Sequence, residues 1–370
     1  MAALLILLLL LALFFLQGFL YDRLWSRGLQ VKITFQEEYA VEDDTAQLAE
    51  VVTNDKILPL PVVEIDFHMD RGLRFSDEAN TSVSDRSYRR DVFALGPKQR
   101  ITRTLEFRCA HRGYYRIDQA GMDVRNLLLT RKYVGNSPQS TDFYVLPRPV
   151  ETQRVQIPFS QLMGSAFSRK KVYDDPFEFA GLRGYVRGDP MKYINWKATA
   201  RTGQLLVNLH ESTLSQKVIL VLDMEGLGVQ QADVLNEEAV RIACSLGVRL
   251  LQAGIKLTVV SNGLDAITGR PMALRELSGP GSVLSLQKAL ACVKAQNGLE
   301  PVESYLPGAK AQDDENDLLC VLISREQGEA LAQTFAQRAG RREWLQITPY
   351  RGSVEETPAL GSVRRLYWES

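Results

Sequence analysis

The spacing of apolar residues changes once along the chain, and this change constrains the fold more than any other feature. Between residues 29 and 150, apolar and polar residues alternate one by one, as they do at 29–35, 64–69 and 104–109. Such alternation is typical of strands that bury one face. No helical period of useful length occurs in this region. We therefore predict a β-sandwich for the first half of the chain.

From residue 217 onward the pattern is different. Residues 218–222 form a continuous apolar run, which is typical of a strand that is covered on both faces. Apolar residues then recur at helical spacing at Leu235, Ala239, Ile242, Leu246 and Leu250. Strands are predicted again at 255–260, 318–323 and 344–348, with helices at 282–295 and from Ser324, which forms a capping box with Gln327. Alternating strands and helices predict a doubly wound α/β domain with a parallel sheet.

The amino terminus predicts a membrane helix. Residues 2–16 are all apolar, and the run continues to Leu20 with Gln17 as its polar interruption. About 20 apolar residues cross a bilayer, so we expect a transmembrane helix over residues 1–21. Arg23, Arg27 and Lys32 follow this span and no basic side chain precedes it, which places the remainder in the cytoplasm by the positive-inside rule. A cleaved signal peptide is the alternative, but a basic leader and a small-residue cleavage site are missing.

Composition and motifs exclude several classes of function. Lys and Arg number 44, as do Asp and Glu, so the net charge is zero and a nucleic-acid partner is not expected. The four cysteines lie at least 28 residues apart in apolar surroundings, which predicts buried, reduced thiols. The chain carries neither a nucleophile elbow nor an H-E-x-x-H pair nor a P-loop. We therefore expect no enzymatic activity and no cofactor.

Residues 175–211 follow neither period. Aromatic, basic and acidic residues are interleaved there, and the stretch 169–201 holds eight Lys or Arg against four Asp or Glu. Many polar groups must then find partners around large aromatic rings. Local signals predict a helix over 190–201, with Asp189 as N-cap, Pro190 at the first helical position and Gly203 as the stop.

This stretch also carries a motif. It reads G-L-R-x-Y-x-x-G-D, followed by I-N-W-K-A-T-A-R-x-G-x-L, and it resembles the signature of the bacterial membrane-anchored domain-of-unknown-function family 58. The resemblance implies a multi-domain chain with four parts: a transmembrane helix (1–21), an all-β sandwich-like domain (22–150), a signature segment with a short helix (151–212) and a von Willebrand factor A-like α/β domain (213–370). It also implies a MoxR-type AAA+ ATPase as partner. Many members of the family have two closely spaced membrane spans, whereas one is visible here.

Two hypotheses account for the signature residues. They could form an exposed docking surface for a protein partner, because Trp, Tyr and Arg dominate the energetics of interfaces. Alternatively, the segment could bridge the two domains through ion pairs between its arginines and its carboxylates. The residues concerned are Arg183, Tyr185, Asp189, Asn195, Trp196, Lys197 and Arg201.

Asp223 ends the first strand of the α/β domain, where von Willebrand factor A domains begin a D-x-S-x-S metal site. This chain reads Asp223-Met224-Glu225-Gly226-Leu227, so both serines are absent. Leu227 offers no donor atom and Glu225 would crowd an octahedral ion. We expect a degenerate site in which Asp223 orders its loop, and the placement of Asp265 and Thr268 stays open.

These observations together predict a single-pass protein of the cell membrane with cytoplasmic domains. We expect an adaptor that acts with a MoxR-type AAA+ ATPase in complex assembly or in processes of the cell envelope. The alternative is a metal-dependent hydrolase that uses Asp223, Glu225 and Asp189.

Overall fold

The first helix, α1 (Ala2–Leu24), is apolar on all sides. Its residues Leu4–Leu24 have a mean hydropathy of 2.6, and by length and composition they could cross a membrane. At 1.5 Å per residue, α1 is about 35 Å long, which exceeds the thickness of a hydrocarbon core of about 30 Å. Most of α1 is exposed, whereas Gly18 and Tyr21 near its carboxyl end are buried. One face of the last two turns of α1 therefore packs against the rest of its unit.

The structure is a computed structural model. It describes residues 2–76, 81–83, 87–170, 179–186, 191, 194–210, 217–225, 230–306, 318–324, 331, 333–334, 337, 343–352 and 363–370. These residues form two units. The first comprises Met1–Arg148 with Asp265–Gly269 and Gln287–Lys294, and the second comprises Pro149–Leu264, Arg270–Leu286 and Ala295–Ser370.

Two β-sheets make up most of the first unit. The strands are β1 (Leu29–Phe35), β2 (Tyr39–Val41), β3 (Thr45–Asn54), β4 (Leu60–Met69), β5 (Leu73–Phe75), β6 (Thr81–Val83), β7 (Ser87–Leu95), β8 (Gln99–Cys109), β9 (Gly113–Arg125) and β10 (Lys132–Leu146). One sheet has the order β1-β3-β8-β5 and the other the order β2-β10-β9-β4-β7-β6. All these pairs are antiparallel except β2 with β10. The β-rich region predicted from the alternation is confirmed.

The alternation of side chains explains the core between these sheets. On β1, Leu29, Val31, Ile33 and Phe35 are buried while Gln30 and Lys32 are exposed. The core contains an aromatic cluster in which the ring of Phe35 lies 4.9 Å from that of Phe143 and 5.7 Å from that of Phe107. Burial of such large apolar side chains provides most of the free energy that stabilises a sandwich of this kind.

A mostly parallel sheet with helices forms the greater part of the second unit. In chain order, the elements that follow the sandwich are α2 (Thr152–Lys170), β11 (Phe179–Gly184), α3 (Trp196–Thr202), β12 (Leu206–His210), β13 (Lys217–Leu222), α4 (Gln230–Gln252), β14 (Lys256–Asp265), β15 (Pro271–Leu277), α5 (Val283–Cys292), β16 (Val293–Lys294), β17 (Leu318–Ile323), β18 (Glu343–Tyr350) and β19 (Val363–Glu369). Six strands lie in the order β15-β14-β13-β17-β18-β19.

The strand pairs of this sheet are parallel except for β15, which runs antiparallel to β14 at the edge. The central strands β13 and β17 are apolar along most of their length, as expected for strands that are covered on both faces. The strand predicted at 318–323 is present as β17, whereas β15 and β19 were not predicted. Residues 331, 333–334 and 337 are helical, and Gln327 of the predicted capping box lies outside the described residues. All four cysteines are buried and free, as predicted.

Candidate functional site

The signature residues fold into a small substructure built on a two-stranded sheet. Strands β11 and β12 are antiparallel, with Leu182 opposite Asn208 and Arg183 opposite Val207. In the part of the chain that connects β11 to β12, Ile194 also forms an isolated antiparallel bridge with Val207. Ile194 and Val207 are both buried. We call residues 179–186, 191 and 194–210 the signature unit.

Three polar or small residues of the motif hold helix α3 in place. The side chain of Asn195 caps the helix, since its Oδ1 accepts from the backbone N–H of Ala198 at 2.9 Å. Thr199 Oγ1 accepts from the N–H of Leu206 at 3.0 Å, which ties α3 to β12. Gly203 ends the helix with a φ of 70°, and its N–H donates to the carbonyl of Thr199. This left-handed conformation favours glycine because a Cβ would be strained there.

The predicted start of this helix is wrong. Helix α3 begins at Trp196 rather than at Pro190, and the N-cap is Asn195 rather than Asp189. The reason is that Ile194 forms a β-bridge with Val207 and that the N–H of Asn195 donates to the carbonyl of Leu206 at 2.8 Å, so neither residue is helical. Both Asp189 and Pro190 lie outside the described residues. The predicted stop at Gly203 is confirmed.

Large apolar side chains of the signature unit face solvent. Trp196 is 61% exposed and Met191 is 67% exposed, and the exposed set also includes Leu182, Val186 and Leu205. Lys197 and Arg201 are exposed on the same short helix as Trp196. These exposed residues all belong to the signature unit, and exposed apolar patches commonly mark interaction sites. We call Leu182, Val186, Met191, Trp196, Lys197, Arg201 and Leu205 the signature surface.

Two further predicted site residues, Tyr185 and Arg183, lie on or beside strand β11. Tyr185 is half-buried, and its N–H donates to the carbonyl of Leu205 at 2.9 Å. The backbone of Arg183 belongs to β11, while its side chain lies outside the described part of the chain. The ion pairs of the bridging hypothesis involve Asp174, Asp175, Glu178, Arg187 and Asp189, which the structure does not describe.

Asp223 lies at the carboxyl end of β13 and its carboxylate is enclosed by neutral donors. Its Oδ1 accepts from Asn262 Nδ2 at 3.0 Å and from the N–H of Glu225 at 3.2 Å. Its Oδ2 accepts from Ser324 Oγ at 2.7 Å. The amide of Asn262 is oriented in turn, because its Oδ1 accepts from the N–H of Met224 at 2.8 Å. We call Asp223, Asn262 and Ser324 the strand-end network.

The sequence indicated Asp223 and Glu225, but it did not indicate Asn262 and Ser324. Their positions in the sequence could have indicated them. Asn262 lies late in β14 and Ser324 directly follows β17, and neighbouring parallel strands bring their carboxyl ends together. Glu225 is half-buried, and its carbonyl accepts from Asn236. Asp265 instead orders its own turn by accepting from the N–H groups of Ile267 and Thr268. Within the described ranges, His, Cys, Asp and Glu form no group of three that could hold a metal ion.

A second buried carboxylate, which the sequence did not indicate, lies inside the sandwich. Arg89 Nε donates to Asp91 Oδ2 at 2.7 Å, and Arg103 Nη1 donates to Asp91 Oδ1 at 2.5 Å. Asp91 is fully buried and Arg89 nearly so. Glu50 on β3 is also fully buried. Desolvation raises the pKa of Glu50 to about 8, with Asp91 adding to this effect and Arg103 and Arg89 opposing it. We call these four residues the sandwich cluster.

The comparison with protein families gives one match. Residues 181–362 match the family described as "Protein of unknown function DUF58". The matched range begins inside the signature unit and extends through the parallel sheet. The match shows that this part of the chain, just under half of its length, is similar to that family, in agreement with the resemblance of the motif. The comparison with curated proteins gives no match.

Solved structures with some similarity cover about a third of the chain. They include a CARDB domain from Pyrococcus furiosus (18% identity, 32% of this chain and 90% of that chain, TM-score 0.23). They also include α-2-macroglobulin from Escherichia coli (17% identity, 32% and 17%, TM-score 0.24). A third is a non-cellulosomal cohesin from Archaeoglobus fulgidus (9% identity, 34% and 96%, TM-score 0.22).

Proposed function

We propose that this protein is a membrane-anchored interaction protein and not an enzyme. In this proposal α1 crosses the cell membrane once and the remaining domains lie in the cytoplasm. The signature surface docks a protein partner, which the resemblance to the family identifies as a MoxR-type AAA+ ATPase. The complex would act in protein assembly or in the cell envelope.

This proposal rests on a difference between the residues of the signature unit: some hold its structure together and others face solvent. The polar residues Asn195 and Thr199, together with Gly203, use their hydrogen bonds or backbone conformation to hold α3 against β12. Trp196, which follows the cap, contributes nothing comparable because most of its side chain is exposed. A folded unit that uses its polar groups for its own hydrogen bonds and presents Trp, Met and Arg to solvent has the composition of a binding surface.

Two features support a von Willebrand factor A-like character for the second unit. Its sheet is parallel apart from the edge strand β15. A carboxylate, Asp223, ends the strand β13 near the middle of the sheet, where ligands of α/β proteins gather. The metal-dependent hydrolase stays the alternative function. Magnesium binding by the full-length chain that is lost in Asp223→Ala would favour the hydrolase over the adaptor.

The test of the docking surface replaces Trp196 by alanine and measures co-purification with the proposed MoxR-type AAA+ ATPase. Loss of an interface tryptophan weakens binding by about 2 kcal/mol or more, which is more than about tenfold in affinity. Because Trp196 is mostly exposed, its replacement should leave the unfolding midpoint unchanged. Ile157→Ala is a matched control, since Ile157 is another apolar residue of the second unit that is about half exposed.

A second variant separates docking from loss of structure. Asn195→Ala removes the helix cap, and we expect it to destabilise the signature unit by about 1 kcal/mol. Retained binding in Trp196→Ala together with a large drop in the unfolding midpoint would contradict docking and support the bridging hypothesis.

A further inference from the structure

Three consecutive leucines are exposed in the loop that joins β9 to β10. Leu127, Leu128 and Leu129 are 53%, 52% and 53% exposed. A run of exposed apolar residues at a loop tip is unfavourable in water and indicates contact with a less polar phase or with a partner. The remaining question is which surface covers them.

The loop is built to hold these side chains outward. Asn126 is fully buried, and its Oδ1 accepts from the N–H groups of Thr130 at 2.8 Å and Arg131 at 3.1 Å. Its Nδ2 donates to Thr130 Oγ1 at 2.9 Å. Leu129 has a φ of 56°, a left-handed conformation that is uncommon for a bulky residue. A buried asparagine therefore fixes the leucines in place, so their exposure is a property of the folded loop.

This loop lies beside the carboxyl end of α1. Arg131 Nη1 pairs with Asp22 Oδ2 at 2.6 Å, and Tyr133 Oη donates to Asp22 Oδ1 at 2.7 Å. One turn earlier, a Cβ on the buried Gly18 would lie only 4.0 Å from Arg131 Cζ. The exposed apolar surface of α1 continues to Phe19 and Leu20. The leucine loop therefore lies at the level where the apolar surface of α1 ends.

A second loop at the same end has the same character. Ile57, in the connection between β3 and β4, is 80% exposed. Its neighbour Lys56 donates through Nζ to the carbonyl of Trp25 at 2.8 Å, and Pro59 accepts from the hydroxyl of Tyr21. Both loops thus contact the last residues of α1 or the turn that follows.

We infer that Leu127, Leu128, Leu129 and Ile57 insert into the headgroup and acyl boundary of the bilayer that α1 crosses. The inference rests on the proposed membrane span of α1. We choose lipid as the contacting phase because the leucine loop lies beside the apolar surface of α1, which would itself face lipid. Exposed apolar side chains beside the end of a spanning helix suit the boundary between headgroups and acyl chains. The sandwich would then touch the membrane through its own loops in addition to its anchor.

The test places an environment-sensitive fluorophore on a single introduced cysteine in the full-length chain, reconstituted in vesicles that contain anionic lipid. The four native cysteines are buried, so unsubstituted protein gives the background of labelling. Leu128→Cys reports on the loop and Leu9→Cys on the middle of α1. His111→Cys is the control, since the exposed His111 lies in the β8–β9 turn, at the other end of the 13-residue strand β9 and about 40 Å away.

Blue-shifted emission and quenching by spin-labelled lipid are expected at positions 9 and 128 and not at 111. Leu127→Cys serves as a second loop position in case one label disturbs the fold, and the two should agree. Labels at 127 and 128 that are both unshifted and unquenched would overturn the inference. If position 9 were still quenched in that experiment, α1 would be in the membrane without the loop contact. If position 9 were not quenched either, the proposed membrane span of α1 would be wrong as well.

Discussion

Two buried carboxylates, one in each unit, are compensated in different ways. Asp91 in the sandwich accepts hydrogen bonds from two guanidinium groups, those of Arg89 and Arg103. Asp223 in the parallel sheet accepts from an amide, a hydroxyl and a backbone N–H, all of which are neutral. The first arrangement balances charge with charge, and the second relies on oriented dipoles. Because of this difference, we expect removal of the negative charge to lower the free energy of unfolding more at Asp91 than at Asp223.

Position along the strand explains the difference. Asp91 lies within β7, where backbone N–H groups are engaged in the sheet ladder, so donors must come from side chains. Asp223 follows the last residue of β13, where the chain leaves the ladder. The next N–H groups are then available, and that of Glu225 donates to Asp223 while that of Met224 donates to Asn262. A strand end can therefore stabilise a carboxylate without a buried cation.

The largest expected effect is that of Asp91→Asn. The substitution keeps the shape of the side chain but removes the negative charge that Arg89 and Arg103 both contact, which lowers the free energy of unfolding of the first unit by about 3–5 kcal/mol. The measurement is a urea titration with pulsed thiol labelling, in which exposure of the buried Cys109 on β8 reports unfolding of the sandwich. Asp118→Asn breaks an exposed pair with Arg116 and should change the same quantity by less than about 1 kcal/mol. Equal effects of the two substitutions would contradict the role assigned to Asp91.

The same substitution should be tolerated better at the other site. In Asp223→Asn the remaining oxygen still accepts from Asn262, and the hydroxyl of Ser324 can turn to accept from the new amide, so we expect a loss of at most about 1 kcal/mol. Asp223→Ala leaves the buried donors without an acceptor and should lower the free energy of unfolding by about 1–3 kcal/mol. Exposure of Cys320 on β17 reports unfolding of the second unit. If Asp223→Asn were as harmful as Asp91→Asn, the distinction between charge and dipole compensation would be wrong.

A third expected effect is a dependence of the sandwich cluster on pH. The pKa of Glu50 is raised to about 8, so the folded state keeps a proton that the unfolded state has released above its ordinary pKa of 4.5. Stability from this group is therefore complete below about pH 4.5 and is lost as the pH rises towards 8. Between about pH 6 and about pH 7 the free energy of unfolding should fall by about 1.4 kcal/mol.

Glu50→Gln is the matched variant for this effect, because glutamine resembles the protonated acid and does not titrate. The urea midpoint reported by Cys109 should fall with pH in the unsubstituted protein and much less in Glu50→Gln. A parallel decline in both proteins would assign the pH dependence to other groups.

The sequence predicted the outline of both units and missed their buried polar groups for separate reasons. Alternation predicts which positions face inward, as on β1, but it cannot show that Glu50 on β3 and Asp91 on β7 occupy inward positions beside Arg89 of β7 and Arg103 of β8. Asp223 was indicated by its place after an apolar run, whereas its partners Asn262 and Ser324 lie 39 and 101 residues away in the chain. Only the order of strands in the sheet brings these three together.

Local signals were ambiguous in the signature unit and at the sheet edges. Asp189-Pro190 and Asn195 are both good helix starts, and the contact of Ile194 with Val207 decides between them. The edge strands β15 and β19 contain Arg and Glu at several positions, because an edge strand is covered less than a central one. They consequently lack the continuous apolar run that identified β13 and β17.

The junction between α1 and the sandwich has a mechanical consequence. Tyr21 is buried, Asp22 is held by Arg131 and Tyr133, and the ring of Trp25 stacks on that of Tyr133 at 5.8 Å. A helix joined in this way cannot swivel independently of the domain that follows. A spanning helix that is longer than the hydrocarbon layer can accommodate the mismatch by tilting. If α1 crosses a bilayer as proposed, any change in its tilt would therefore also change the angle between the sandwich and the membrane surface.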